Sequence, residues 1–247
     1  MNKISELHGQ IGDMATVPAH EFGASLIIAP HPDDETLGCG GTAALLRRQG
    51  IPVHYIFVSD GSMSHPNSKK FPARKLAQLR EKEARHAVKI LGSTKDDMDF
   101  LRLKDSLVPH EQDSQFDETV DKMVKLINQI RPESVFVPWE KDPHCDHRAT
   151  WKIMTEALKH VKEQPRFLQY PIWFWEMGNP DDLALIDEMK KWSVNIEETL
   201  DIKNQALAAH VSQVTHLIDD DPEGFMLSEQ VIAHFNIPRE IFFESTK

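Results

Sequence analysis

Residues 24–41, ASLIIAPHPDDETLGCGG, run an uninterrupted apolar segment straight into a cluster of charge. Ser25, Leu26, Ile27, Ile28 and Ala29 show no polar alternation, so a strand there is buried on both faces, as in a parallel sheet covered by helices on each side. Where the strand stops, His31, Asp33, Asp34 and Glu35 follow within five residues. Three carboxylates that close repel one another unless a cation lies among them, and Pro32 restricts the backbone that presents them. The stretch reads as a metal loop.

The pattern after it alternates. Thr42–Gln49 has helical composition and is closed by Gly50 and Pro52, and Val53–Ser59 is a β-branched and aromatic strand. Gly61–Arg74 is a loop rich in Ser, Pro and Lys, Lys75–Leu91 an amphipathic helix, and Met98–Leu103 a third strand. Phe116–Ile130 repeats helical spacing, Ser134–Trp139 is a fourth strand, Thr150–Val161 a helix, and Arg166–Trp175 a fifth strand. This order predicts an α/β, Rossmann-like, mostly parallel sheet with helices on both faces. Beyond Gly178 the pattern is mainly helical, over Asp181–Trp192, Lys203–Ile218 and Ser228–Phe235, with a possible strand near Asn195–Ile202. The expected organisation is one domain over residues 1–247, with an N-terminal segment 1–22 and a C-terminal extension 179–247 on the same core.

Strands of a parallel sheet deliver their following loops to one edge, so the loops after the first and fourth strands can meet. The second of these, Glu140-Lys141-Asp142-Pro143-His144-Cys145-Asp146-His147, holds two histidines three residues apart, on one face if a helix has begun. Asp142 as N-cap with Pro143 at the first helical position would allow that, and a start at Asp146 is the alternative. Either way His31, Asp34 and His147 offer three N/O donors with a fourth position left for water, the pattern of a catalytic zinc site. The charge that remains at such a site lowers the pKa of its water.

His31-Pro32-Asp33-Asp34-Glu35 followed by His144-Cys145-Asp146-His147 resembles the LmbE/PIG-L family of zinc-dependent N-acetylglucosaminyl deacetylases, which includes enzymes of mycothiol and bacillithiol synthesis. Arg80-x-x-Glu83-x-x-x-Ala87-x-x-x-Leu91-Gly92 and Lys203-x-x-Ala206-Leu207-x-x-His210-x-Ser212-Gln213 resemble two further family motifs, so the likeness spans residues 31 to 213. The resemblance implies that His31, Asp34 and His147 bind the metal, that Asp33 is the general base, and that His144 stabilises the oxyanion or protonates the leaving amine. Asp146 would orient and charge one of the neighbouring histidines, and Arg80 and His210 would sit on the substrate side. The implied cofactor is Zn²⁺, with another divalent ion such as Fe²⁺ as the alternative. The implied partner is a small N-acetylated amino sugar or glycoconjugate. Two positions depart from the family, which often has proline at Cys145 and alanine at Pro30. Cys145 lies between residues that would face the metal and is expected to point elsewhere.

A net charge of −11 argues against nucleic acid or an anionic membrane as partner. No apolar run approaches the roughly 20 residues that span a bilayer, and with two cysteines and no signal-peptide core the chain is expected to be cytoplasmic. Nothing in the pattern announces an oligomer. The plainer readings are solvated or capping roles for the acids, a surface pair for Arg80 and Glu83, solvation for Lys69, Lys70, Arg74 and Lys75, and core packing for Trp173, Phe174 and Trp175. The glycines Gly38, Gly40 and Gly41 lack the G-x-G-x-x-G spacing and suit close helix–strand packing better than a nucleotide. Competing functions are a metal-dependent hydrolase of another amide or ester and a non-catalytic sugar- or nucleotide-binding protein of the same fold.

Overall fold

The computed structural model describes residues 14–245. Residues 1–13 of the expected N-terminal segment lie outside them; its end, Ala19–Phe22, is a short 3-10 turn that buries Phe22 edge-on against Phe136. Seven strands form one sheet: β1 (Ser25–Ala29), β2 (Val53–Ser59), β3 (Met98–Leu103), β4 (Ser134–Pro138), β5 (Arg166–Tyr170), β6 (Lys190–Asn195) and β7 (Arg239–Glu244). Their order is β3-β2-β1-β4-β5-β7-β6. The first five are parallel, and β7 runs antiparallel to both its neighbours.

Around the sheet lie α1 (Asp34–Arg48), α2 (Ala73–Ile90), α3 (Phe116–Ile130), α4 (Cys145–Leu158), α5 (Phe174–Met177), α6 (Leu183–Glu188), α7 (Leu200–Ala208), α8 (Val211–Val214) and α9 (Glu229–Phe235). Successive residues of a strand face opposite sides, and here both sides are apolar. Leu26, Ile28, Val135 and Val137 pack with Met123 and Ile127 of α3 and Ile153 of α4. Ile27, Ala29, Phe57 and Phe136 pack on the other side with Leu37 and Leu46 of α1, Val88 of α2 and Leu207 of α7. The fold is therefore the doubly wound α/β sheet that the alternation predicts. None of its described helices is long and apolar enough to cross a membrane.

Three local expectations change. Helix α1 begins at Asp34, eight residues before the predicted start, because helix propensity is overridden by packing. A Cβ on Gly38 would lie 2.4 Å from Tyr170 Cδ2 and one on Gly41 2.5 Å from Ile196 Cδ1, so these glycines let the helix approach its neighbours. Strand β5 stops at Tyr170, before Pro171, and the aromatic residues that follow start α5. The C-terminal part is less helical than its composition suggests. Lys190–Asn195 and Arg239–Glu244 complete the sheet as an antiparallel pair, and the helix expected over Lys203–Ile218 divides into α7 and α8.

Strand β7 also holds α1 in place. Glu240 accepts hydrogen bonds from the Gly41 and Thr42 amides, both 2.8 Å, and from Lys203 Nζ at 2.7 Å, with the two charged side chains 2 % exposed. Lys203→Met is expected to leave that carboxylate buried without its cation and to lower stability by about 3–5 kcal/mol. Urea unfolding checks it: the double variant Lys203→Met/Glu240→Gln should recover part of the loss, and an unchanged midpoint in the single variant would contradict the pair's role.

Candidate metal and catalytic site

The strand order reverses between β1 and β4, where the loops leaving a parallel sheet open a crevice. His31 lies just past β1, Asp34 is the first residue of α1, and His147 is in the first turn of α4. His31 Nδ1 and His147 Nε2 are each 3.2 Å from Asp34 Oδ2 and 3.3 Å from one another. Donors held at Zn–N and Zn–O lengths in a tetrahedron stand roughly 3.3–3.4 Å apart. This nearly equilateral triangle therefore fits a small divalent cation.

Carboxylates stand behind both imidazoles. Asp146 Oδ2 and Asp105 Oδ1 lie 3.1 and 3.3 Å from His31 Nε2, so with a cation at the triangle the neutral ring would keep its proton on Nε2 and offer Nδ1 as the donor. Asp142 Oδ1 lies 3.2 Å from His147 Nδ1, off the line of a good hydrogen bond. Burial disfavours charge on His147, but Asp34 and Asp142 outweigh it and lift its pKa to about 9. His31 is likewise raised against burial by Asp105, Asp146 and Asp34, while Asp34, despite burial, is held below the usual carboxylate range by His147 and His31. Buried carboxylates in this number demand positive charge at the centre, which a divalent ion would supply.

Asp33 is outside the triangle. It caps the start of α1 with φ +142°, a strained conformation for a residue with a side chain. Its Oδ2 accepts from Arg80 Nη2 at 2.9 Å, and its amide donates to Glu35 Oε2 at 2.9 Å. Burial raises its pKa to about 6, Asp34 adding to the rise and Arg80 opposing it. His144 is the N-cap of α4 in place of Asp142. Its Nδ1 accepts from the Asp146 amide at 3.2 Å, so a neutral ring carries its proton on Nε2. Burial, then the charges of His31 and His147, push His144 down to about 4, so the ring is neutral at pH 7.

A cavity of about 420 Å³ opens onto these groups, and His31, Asp33, Asp34, Arg80, Asp105 and His144 line one side. Arg80 and Glu83 are buried and do not pair with each other as a surface couple would. Arg80 binds the Gly61 and Pro32 carbonyls as well as Asp33, and Glu83 accepts from the Ser212 amide and hydroxyl. His210 was expected at the substrate but is fully buried away from the lining. Its Nε2 lies 2.9 Å from Glu35 Oε1, so it acts behind the carboxylate that receives the Asp33 amide. Burial lowers its basicity, but Glu35 outweighs burial and raises the pKa. Asp146, expected to orient one of the neighbouring histidines, places its carboxylate against His31 across the crevice and accepts from the amides of Ser106 and Val108. Cys145 is half-buried with Sγ 3.8 Å from Asp146 Oδ1, and it does not line the cavity. Of the aromatic triplet, Phe174 is core and Trp173 reaches the cavity.

Asp105 was not anticipated, and Asp142 only as a helix cap. Asp105 lies two residues beyond β3 at the same sheet edge, which is the one signal the sequence carries for it. Asp142 accepts from the Ile172 and Trp173 amides, contacts that depend on where β5 ends.

The GlcNAc-PI de-N-acetylase (PIG-L) family profile matches residues 26–158. The chain is 30% identical over 214 residues to a Bacillus subtilis protein named probable N-acetyl-alpha-D-glucosaminyl L-malate deacetylase 2, covering 84% of this chain and 91% of that one. It is 28% identical to the diacetylchitobiose deacetylase of Thermococcus kodakarensis, over 79% of this chain and 72% of that one. In structure it is similar to N,N'-diacetylchitobiose deacetylase from Pyrococcus horikoshii, with a TM-score of 0.65, 22% identity, and 84% and 79% of the two chains covered.

Proposed function

This chain belongs to the GlcNAc-PI de-N-acetylase (PIG-L) family, and from that premise we propose that it is a metal-dependent hydrolase. In this reading it removes the acetyl group from an N-acetylglucosamine-type sugar or glycoconjugate, releasing acetate and the free amine. The names of the Bacillus and Thermococcus relatives share an acetylated glucosamine unit and differ in what that unit is joined to, which supports the sugar and leaves its substituent open. The observation that carries the reading is the triangle of His31, Asp34 and His147, with Asp33 beside it on the wall of the same cavity.

His31, Asp34 and His147 would hold the cation, Zn²⁺ in the first instance and Fe²⁺ as the alternative. When bound, the ion supplies Lewis acidity to the amide carbonyl and acidifies a water. Asp33 takes the proton of the attacking water, its carboxylate aimed by Arg80 and its backbone fixed through Glu35 and His210. His144, neutral with a proton on Nε2, donates to the carbonyl oxygen as negative charge builds there. The carbon–nitrogen bond then breaks, the water oxygen leaves in acetate, and a proton passes to the nitrogen.

Chelation tests the reading. Acetate release from N-acetylglucosamine glycosides is expected to fall to background in metal-stripped protein and to return with about one equivalent of Zn²⁺. Undiminished release from stripped protein would refute the metal role. Turnover of esters or other amides in preference to the sugars would keep the metal role and refute the substrate class.

A further inference from the structure

Among the described residues six large hydrophobic side chains are exposed, and three of them, Met63, Met177 and Phe225, line the cavity that holds Asp33 and His144. Soluble proteins scatter exposed hydrophobics, and a cluster at a cavity marks a surface that is covered when occupied. These three come from separate segments: the loop after β2, the end of α5, and the stretch between α8 and α9. Trp173 stands behind them, edge-on to Phe225 with ring centroids 5.6 Å apart. The wall is tied to the donor cluster. The Met63 amide donates to Asp105 Oδ2 at 2.7 Å, and the Phe225 amide to the Ser64 carbonyl at 2.6 Å.

Away from the donor triangle the cavity offers little to an anion. Its one lining arginine or lysine, Arg80, has both terminal nitrogens committed to Gly61, Pro32 and Asp33, and Asp33, Asp34 and Asp105 line the same space, set against His31. The basic loop that could have attracted an anionic group is turned elsewhere: Lys70 pairs with Asp219 at 2.6 Å and Lys75 binds the Lys70 carbonyl. Neither Lys69 nor Arg74 lines the cavity.

We propose that the substrate carries an apolar aglycone, joined to the amino sugar and seated against Met63, Trp173, Met177 and Phe225. The aglycone is the occupant because the donor cluster is buried and the apolar wall is exposed, so the wall receives the outward end of the substrate. This specificity rests on the deacetylase reading and departs from the dicarboxylate aglycone in the name of the Bacillus subtilis relative.

Binding of unacetylated glycosides, which need no turnover, tests it by calorimetry. Phenyl and hexyl glucosaminides are expected to bind roughly tenfold tighter than the malyl glucosaminide, and Phe225→Ser and Met177→Ser should each erase most of that preference. Both positions are exposed, so the variants should fold as the wild type does. Equal or tighter binding of the malyl compound, no measurable binding of the apolar glycosides, or a preference indifferent to both variants overturns the proposal. So does a gain seen only with a longer N-acyl chain, which would place the apolar group at the other end. Acetate release from the acetylated forms is read alongside: no release with the apolar preference intact refutes the hydrolase and not the wall.

Discussion

Asp33→Asn is expected to cut acetate release by roughly 10²–10⁴-fold, the usual contribution of a positioned general base, while bound metal stays near one equivalent. The substitution keeps shape. Asparagine retains an oxygen for Arg80 Nη2 and leaves the Asp33 amide on Glu35, so the strained turn at the start of α1 persists. What disappears is the capacity to take a proton. Because Asp33 stands outside the three-donor triangle, the two readouts separate, and loss of both together would mean that the turn itself had collapsed. Unchanged acetate release with metal in place would end the assignment of Asp33 as base.

His147→Ala should remove metal and activity together. His147 Nε2 is one vertex of the triangle, 3.2 Å from Asp34 and 3.3 Å from His31. The variant is expected to retain roughly a tenth of an equivalent of metal or less after desalting, with acetate release near background, and excess Zn²⁺ should not restore it. Metal analysis on the desalted protein is the decisive measurement. Full metal content would move the site to another trio, His31, Asp105 and Asp146 or His144, Cys145 and Asp146.

The parts of the fold that could be read in advance are those where one physical signal acts alone. The unalternated apolar run at Ser25–Ala29 and the β-branched run at Val53–Ser59 are strands because burial on both faces leaves no other use for them. The start of α1 was hidden because glycine is a poor helix former, and only the position of Tyr170 and Ile196 explains why a larger residue is excluded. Strands β6 and β7 were hidden because their pairing is with each other and with β5, at long range. The same division runs through the site. His31, Asp34 and His147 stand out by type and spacing, whereas Asp105 is a single acid in a loop, and His210 is linked to Asp33 by hydrogen bonds through Glu35.

The clamp on Glu35 and Glu83 comes from His210 and Ser212, and the clamp on α1 from Lys203 and Glu240, all beyond the matched residues 26–158. Met177 and Phe225, two members of the apolar wall, come from that same later part of the chain but carry none of these clamps. Rigidity and selectivity are thus written on interleaved segments of one stretch. A lineage can redraw the wall by point changes or loop exchanges while the fasteners stay fixed, so new substrates are reachable without passing through an ancestor that has lost its catalyst. For an engineer the same layout gives a rule for grafting: exchange the segments around residues 177 and 225, and keep 203, 210, 212 and 240.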